Sequence, residues 1–350
     1  MLFTCDDAWF GGWRGRSILR IEAGRLSYAG PAEGTSVEAD VDGHVGATVL
    51  APLTDSHVHL GLIDVGALVG GGIARVVDLG WDPALATTWP ARGAAADSDW
   101  PEVSTSGGLL CAPGGYPSRS AWAPPAAALE AADAAQAREV LQSLQDRGAT
   151  VAKITLNTDA GPVWDDDLLA AVVREAHDLG LPVVAHAQGV GQTRRAARAG
   201  VDALAHTPFS ERLDDDLLDD LAGRMTWIST LAIHDRDGAG TGGSSASAAA
   251  SAYPTAVDNL ARFHARGGHV LYGTDLGNGD LPVGLNGREL AALAEAGLGT
   301  DAILHALTPG SGEPTFDTRL VSLIAERPTT VAELAAARVT TLPELARSAE

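Results

Sequence analysis

From His57 to Leu307 the chain alternates between short apolar runs and helical patterns, and it does so eight times. The first run ends at His57–His59. The others span Gly72–Leu79, Val103–Leu110, Thr150–Leu156, Pro182–Gln188, Ala203–Phe209, Met225–Ile233 and His269–Asp275. Runs such as GIARVVDL and TVAKITL are apolar with little alternation, the pattern of strands covered on both faces of a parallel sheet. Helical segments are read at Ala126–Arg147, Asp165–Leu179, Gln192–Ala199, Asp214–Ala222, Pro254–Ala265, Arg288–Ala296 and Asp301–Leu307. The second of these opens with acids and meets Gly180 at its end, as the helix dipole and C-cap preferences require. Eight strands, most followed by a helix, predict an α/β fold: a closed (β/α)8 TIM barrel rather than an open sheet.

The ends of the chain read differently. Residues 1–52 carry short strands and turns, with Ala23-Gly24 as a hairpin turn between Ser17–Glu22 and Arg25–Gly30. The tail holds Leu320–Ala325 and Ala335–Val339, which return to extend that module. The predicted organisation is therefore 1–52 and 311–350 as two parts of a small β-sandwich module, and 53–310 as the barrel. A length of 350 residues accommodates a barrel of about 250 residues plus such a module. The Gly/Ser/Ala-rich stretch 237–251 follows the seventh strand, so it is either a lid over the barrel mouth or a surface loop.

Bulk properties narrow the partners. A formal charge of −21 argues against nucleic acid or an anionic membrane, which need clustered Lys and Arg. No run of 18 or more apolar residues occurs, and neither a membrane span nor a secretory signal is read. Two cysteines far apart, Cys5 and Cys111, suit a reducing, cytoplasmic setting. A small-molecule substrate is the expected partner, with a homo-oligomer left open.

Polar residues cluster where strands end. In Asp55-Ser56-His57-Val58-His59 the two histidines share one strand face, which fills a core poorly and begins a metal site well. The fourth strand contributes Lys153, the fifth His186, the sixth His206 and the eighth Asp275. In a (β/α)8 barrel these ends converge on one face. A lysine inside TVAKITL is costly to bury unless its amine is paired, neutral or chemically changed. Imidazoles with a carboxylate suit zinc or another divalent transition metal.

These stretches, with Gly148–Lys153, Ala185-His186-Ala187, Ala205-His206-Thr207 and Gly273-Thr274-Asp275, resemble the amidohydrolase superfamily of metal-dependent hydrolases. Glu175–Pro182 and Ala199–Ala203 are similar to its prolidase- and imidazolonepropionase-like branch. The resemblance implies a binuclear centre of two divalent ions, zinc first. His57, His59 and Asp275 would hold one ion, and His186 and His206 the other. Lys153, carboxylated by CO2, would bridge both. A bridging water, acidified to hydroxide, would attack a carbonyl carbon, and Asp275 would shuttle its proton to the leaving nitrogen. Thr207 and Asp55 are candidates for supporting the ligands.

Around that set, His234 is a candidate for reaching the substrate, and Tyr116 for polarising a carbonyl or closing the pocket. Arg119 is a weaker candidate for binding a carboxylate than for a solvated loop charge. His177 reads as an outer-surface residue, and Asp78 as a structural hydrogen-bonding group. The predicted activity is hydrolysis of an amide C–N bond in a small peptide-like, N-acyl or cyclic-amide substrate. A deaminase of the same superfamily is the alternative, although no acid follows His186 closely; a lactone or ester hydrolase uses the same residues. A barrel that has lost catalysis would lack ligands, and none is missing.

Overall fold

The computed structural model describes residues 1–33, 41–235, 246–312 and 315–349. The N- and C-terminal segments share one seven-stranded sheet. It contains β1 (Leu2–Trp9), β2 (Ser17–Glu22), β3 (Arg25–Pro31) and β4 (Gly43–Leu50) from the start of the chain. Its other strands are β15 (Thr315–Asp317), β16 (Leu320–Ile324) and β17 (Arg338–Thr341) from the end. The hairpin at Ala23-Gly24 is present, with φ of +49° and +76° at its two central residues. Positive φ at both positions is the turn whose twist suits two adjoining strands.

The apolar run Ala47–Leu53, which from the sequence is expected to enter the first histidine strand, does not lead unbroken into His57. Its first part is β4, which pairs with β1 and β16 in the terminal sheet. Pro52 has no N–H for a ladder, and the Leu53 N–H donates to Ser322 Oγ at 3.0 Å. The strand bearing the first histidine starts afresh as β5 (Thr54–Val58).

Parallel strands then follow in sequence order. β5 pairs with β6 (Arg75–Asp78), and β6 with β7 (Glu102–Thr105). A second sheet runs from β8 (Leu109–Cys111), flanked by β9 (Ala128–Glu130), through β10 (Ala152–Asn157) and β11 (Val183–Gln188). It continues through β12 (Ala203–Leu204) and β13 (Thr226–Ile228) to β14 (His269–Leu271). The expected strand Val103–Leu110 is therefore two pieces, broken at Gly107, where φ is +74°. Backbone bonds cross the break nonetheless: Ser106 N–H to Asp78 O and Thr150 N–H to Thr105 O, both 3.0 Å. At the other margin the last strand meets the first, through Ser56 N–H to Tyr272 O at 2.9 Å and Asp275 N–H to His57 O at 2.8 Å.

Three late strands are shorter than their sequence patterns. The chain leaves the ladder before His206, before Thr230 (φ +42°) and before Asp275 (φ +57°). The expected helix from Ala126 begins at Ala134 instead, where the Asp133 carboxylate accepts the Gln136 N–H at 2.9 Å. Its first residues were diverted into β9 behind the Pro124-Pro125 pair. The helix expected from Pro254 spans Ala246–His264 with Pro254 inside it. Most of the Gly/Ser-rich stretch 237–251, through residue 245, lies outside the described residues. No helix among the described residues is long and apolar enough to cross a membrane.

Helices such as Asp166–Asp178 bury one apolar side, here Leu169, Val172, Val173 and Ala176, against the strands. Inside the strand layer the packing is tight at Gly273, between Tyr272 and the strand end. A Cβ there would lie 2.3 Å from Ile228 Cγ2 and 3.1 Å from the His57 backbone N. His57 is held in place by its bond to Ala205, and Ile228 is buried. Gly273→Ala is expected to destabilise the fold by roughly 1–3 kcal/mol through overpacking. A lowered urea midpoint at unchanged slope checks this.

Candidate metal centre

The strand ends bring His57, His59, Lys153, His186, His206 and Asp275 together, each between 2% and 8% exposed except His57 at 1%. The ligand-type atoms of His57, His206 and Asp275 all lie within 4.8 Å of one another. The rings of His57 and His206 are 4.8 Å apart, and those of His186 and His206 4.9 Å.

Hydrogen bonds fix which nitrogen each ring presents. His57 Nδ1 is 2.8 Å from the Ala205 carbonyl, and His59 Nδ1 is 2.9 Å from the Gly80 carbonyl. A carbonyl only accepts, so both rings carry their proton on Nδ1 and turn the Nε2 lone pair inward. Those two Nε2 atoms face Asp275 Oδ1 at 3.3 and 3.2 Å. His206 Nδ1 is held by Thr230 Oγ1 at 2.9 Å, which leaves Nε2 as the nitrogen without that bond. His186 is turned the other way: its Nε2 contacts Asn157 Nδ2 and Gln188 Oε1, each at 3.2 Å.

Burial holds the His57 and His206 rings well below the ordinary histidine range, and the Lys153 charge adds to the effect. Burial brings His186 down to about 3. Burial alone would raise the Asp275 carboxyl, and only positive charge at the facing rings of His57, His59 and His206 would hold it well below the usual range. A charged carboxylate aimed at lone pairs on neutral rings is stable only if positive charge sits between them. Burial of the rings disfavours a proton there, so the donor set fits a cation. Lys153 adds to this. Burial pulls its amine down to about 7 against the attraction of Asp275 and Asp78, and Nζ has no hydrogen-bond partner among the described residues.

The surroundings explain why these side chains stand still. Asp55 Oδ1 accepts the His57 and Thr274 N–H groups, both at 3.1 Å, and Oδ2 accepts the Thr274 hydroxyl at 2.6 Å. One buried carboxylate thus ties the first strand to the residue before Asp275. Asp78 accepts the Leu60 N–H at 2.9 Å and the Gly80 N–H at 3.1 Å, fixing the carbonyl that holds His59. Asn278 Nδ2 donates to Asp275 Oδ1 at 2.9 Å. Glu289 accepts the Leu231 and Ala232 N–H groups at 3.0 and 2.7 Å, next to Thr230.

Other candidates fall at the rim or outside. The Tyr116 ring stacks on His186 at 4.9 Å, and its hydroxyl accepts the Trp122 indole N–H at 3.0 Å. Burial, with Asp275 adding to it, raises the Tyr116 pKa, so the phenol keeps its proton. The His234 ring lies 4.2 Å from Phe209. Arg119 is exposed on the 111–122 loop, and His177 pairs with Asp202 on the surface at 2.8 Å. The Thr207 hydroxyl bonds none of the histidines. Sequence reasoning missed Asn157, Gln188, Thr230, Glu289 and Trp122. Asn157 and Gln188 carried a signal, since they follow Lys153 by four residues and His186 by two and share the respective strand faces.

No family model and no curated protein matches the chain. Solved structures do. A Xaa-Pro dipeptidase with bound methionine superposes with a TM-score of 0.77 at 19% identity, covering 96% of each chain. A. niger ochratoxinase gives 0.77 at 16% identity, over 96% of this chain and 91% of that one. An amidohydrolase gives 0.72 at 19% identity, over 96% and 95%. The chain therefore has the α/β fold of these proteins along nearly its whole length, in keeping with the resemblance carried by the strand-end residues.

Glu289 generates a pH prediction. Burial raises its carboxyl to about 7, from an ordinary value of 4.5, although Ser229 and the Leu231 and Ala232 N–H groups oppose the shift. The folded chain then holds a proton that the unfolded chain has lost between those values, so stability falls as pH rises through that window. Glu289→Gln is expected to remove this share of the slope. Urea unfolding of parent and variant from pH 4.5 to 7.5 checks it, the difference between them shrinking at high pH.

Proposed function

We propose that the protein is a metal-dependent hydrolase of amide C–N bonds in a small molecule. The observation that carries the reading is the Asp275 carboxylate set against two imidazole lone pairs, beside a buried lysine amine without a partner. Neighbours of the same fold support the reaction class. They include a dipeptidase, an ochratoxinase, a molinate hydrolase and a bottromycin amidohydrolase.

The proposed architecture is a (β/α)8 barrel over 53–310, closed by the bonds between β5 and the chain after β14. Segments 1–52 and 311–350 form the attached β-module. His57, His59 and Asp275 would hold one divalent cation, and His186, through its remaining Nδ1, with His206 a second. Zinc suits this mixture of imidazole and carboxylate. Bound there, the cations supply Lewis acidity that lowers the pKa of water and polarises a carbonyl.

Lys153 enters this scheme as its carbamate. The neutral amine adds to CO2, the new N–C bond forms, one proton leaves to solvent, and an anionic carboxylate replaces the ammonium. A value of about 7 keeps a large neutral fraction of that amine at physiological pH. Asp275, held ionised, accepts a proton from the attacking water and returns it to the leaving nitrogen, which departs as a neutral amine. Tyr116 donates its hydroxyl proton in a hydrogen bond to the substrate carbonyl oxygen, and His234 stands at the rim to contact the remainder of the substrate.

The test is a hydrolysis screen of dipeptides, N-acyl amino acids, cyclic amides and lactones, with metal content measured on the same sample. Amides are expected to turn over, chelation to abolish turnover and zinc to restore it. Lys153→Ala should lower activity by more than about 100-fold and lack the CO2 mass increment expected of the parent. Full activity in chelator, or turnover of lactones alone, overturns the proposal.

A further inference from the structure

Trp122 lies at the junction of the site and its mouth. Its ring centroid is 4.7 Å from that of His59, 6.2 Å from Tyr116 and 6.4 Å from Trp81. Tyr116 in turn stacks on His186. The rings form a continuous arc that begins on one candidate ligand, His59, and ends on another, His186. Trp81, Tyr116 and Trp122 are each half-buried, so the arc keeps ring surface open to whatever approaches the centre. Trp81 cannot retreat toward the strand end, because its indole lies over Gly61, where even a Cβ would come within 2.1–2.4 Å of the ring.

We propose that this arc is a seat for a flat, uncharged group, an aromatic ring in the first place, carried by the substrate next to the bond that is cleaved. The inference rests on reading the site as an amide hydrolase and names the class of amide. Three aromatic side chains offer dispersion and edge-to-face contacts to a flat ring, and they desolvate it favourably. An anionic group placed there would lose its water without gaining an opposite charge from the rings, whose faces carry negative potential.

Trp122 has a second task as a positioning residue. Its indole N–H occupies an acceptor site on the Tyr116 oxygen at 3.0 Å. The phenol proton must then point away from Trp122, which leaves it available to a substrate carbonyl. The two tasks separate by substitution. Trp122→Phe keeps a flat ring and removes the N–H; Trp122→Leu removes both.

The experiment uses the metal-loaded full chain and one amino acid in its N-benzoyl and N-acetyl forms. The parent should prefer the benzoyl amide by roughly tenfold, chiefly in KM. Trp122→Leu should lose that preference. Trp122→Phe should keep it while lowering kcat on both amides alike. In parallel, calorimetry compares benzoate with acetate, two product-type acids that differ in the ring, on parent and variants. A benzoyl preference or a benzoate-to-acetate ratio that survives in Trp122→Leu overturns the seat, while amide hydrolysis itself stands. If neither amide is hydrolysed, the amide reading falls and the calorimetric ratio alone decides the seat. A ratio unchanged between parent and Trp122→Leu, with Trp122→Phe as the check on folding, then overturns it.

Discussion

Everything near the strand ends is arranged around one electrostatic demand. Asp275 Oδ1 sits 3.2–3.3 Å from two imidazole nitrogens whose partners, the Ala205 and Gly80 carbonyls, have already claimed the ring protons. Lone pairs and a carboxylate oxygen repel one another at that distance unless positive charge lies among them. A proton could serve in water, but dry surroundings penalise an imidazolium as they do any unpaired ion. The protein therefore assembles an electron-rich pocket that a cation would stabilise. Each bond that turns an imidazole Nε2 inward is part of the same device.

The scaffold meets this demand by giving up regular structure at selected points. Thr230 and Asp275 adopt left-handed backbone conformations at +42° and +57°, which cost energy for residues with a Cβ. Both lie where strands stop early, and both put a side-chain oxygen against a histidine or among histidines. Buried acids pin these departures in place. Asp55 holds Thr274, Asp78 holds Gly80, and Glu289 holds Leu231 and Ala232. Each accepts backbone N–H groups that irregular chain would otherwise leave unpaired. These carboxylates are thus the supports of the loops that carry the ligands.

That division explains what was legible in the sequence. Apolar runs ending in His, Lys or Asp announced the parallel strands and six side chains that the fold brings together, because strand burial and alternation act locally. Strand lengths were overestimated at Ala203–Phe209 and His269–Asp275. The residues that follow the ladder there, Ala205 and Tyr272, are buried and continue the apolar pattern, and only three-dimensional pairing turns the chain aside. The run Ala47–Leu53 misled for a related reason. Its apolarity is shared between two sheets, and Pro52 marks the divide more than hydrophobicity does. Thr230 and Glu289 left no local trace, since each acts on a residue from a different strand or loop.

Lys153 links the electrostatics to the chemistry. As a free amine at a buried site it has no hydrogen-bond partner among the described residues and little solvent. As a carbamate it would place a second anion beside Asp275, which worsens the repulsion already present. Neither state is comfortable alone, and each becomes favourable with cations at the imidazoles. On the proposed reading, carboxylation of Lys153 and cation binding would be coupled equilibria, each raising the other's affinity by the same factor. The pocket is then best understood as one thermodynamic unit of four rings, one carboxylate and one lysine. Removing any member leaves the remaining charges unbalanced in a medium that screens them poorly.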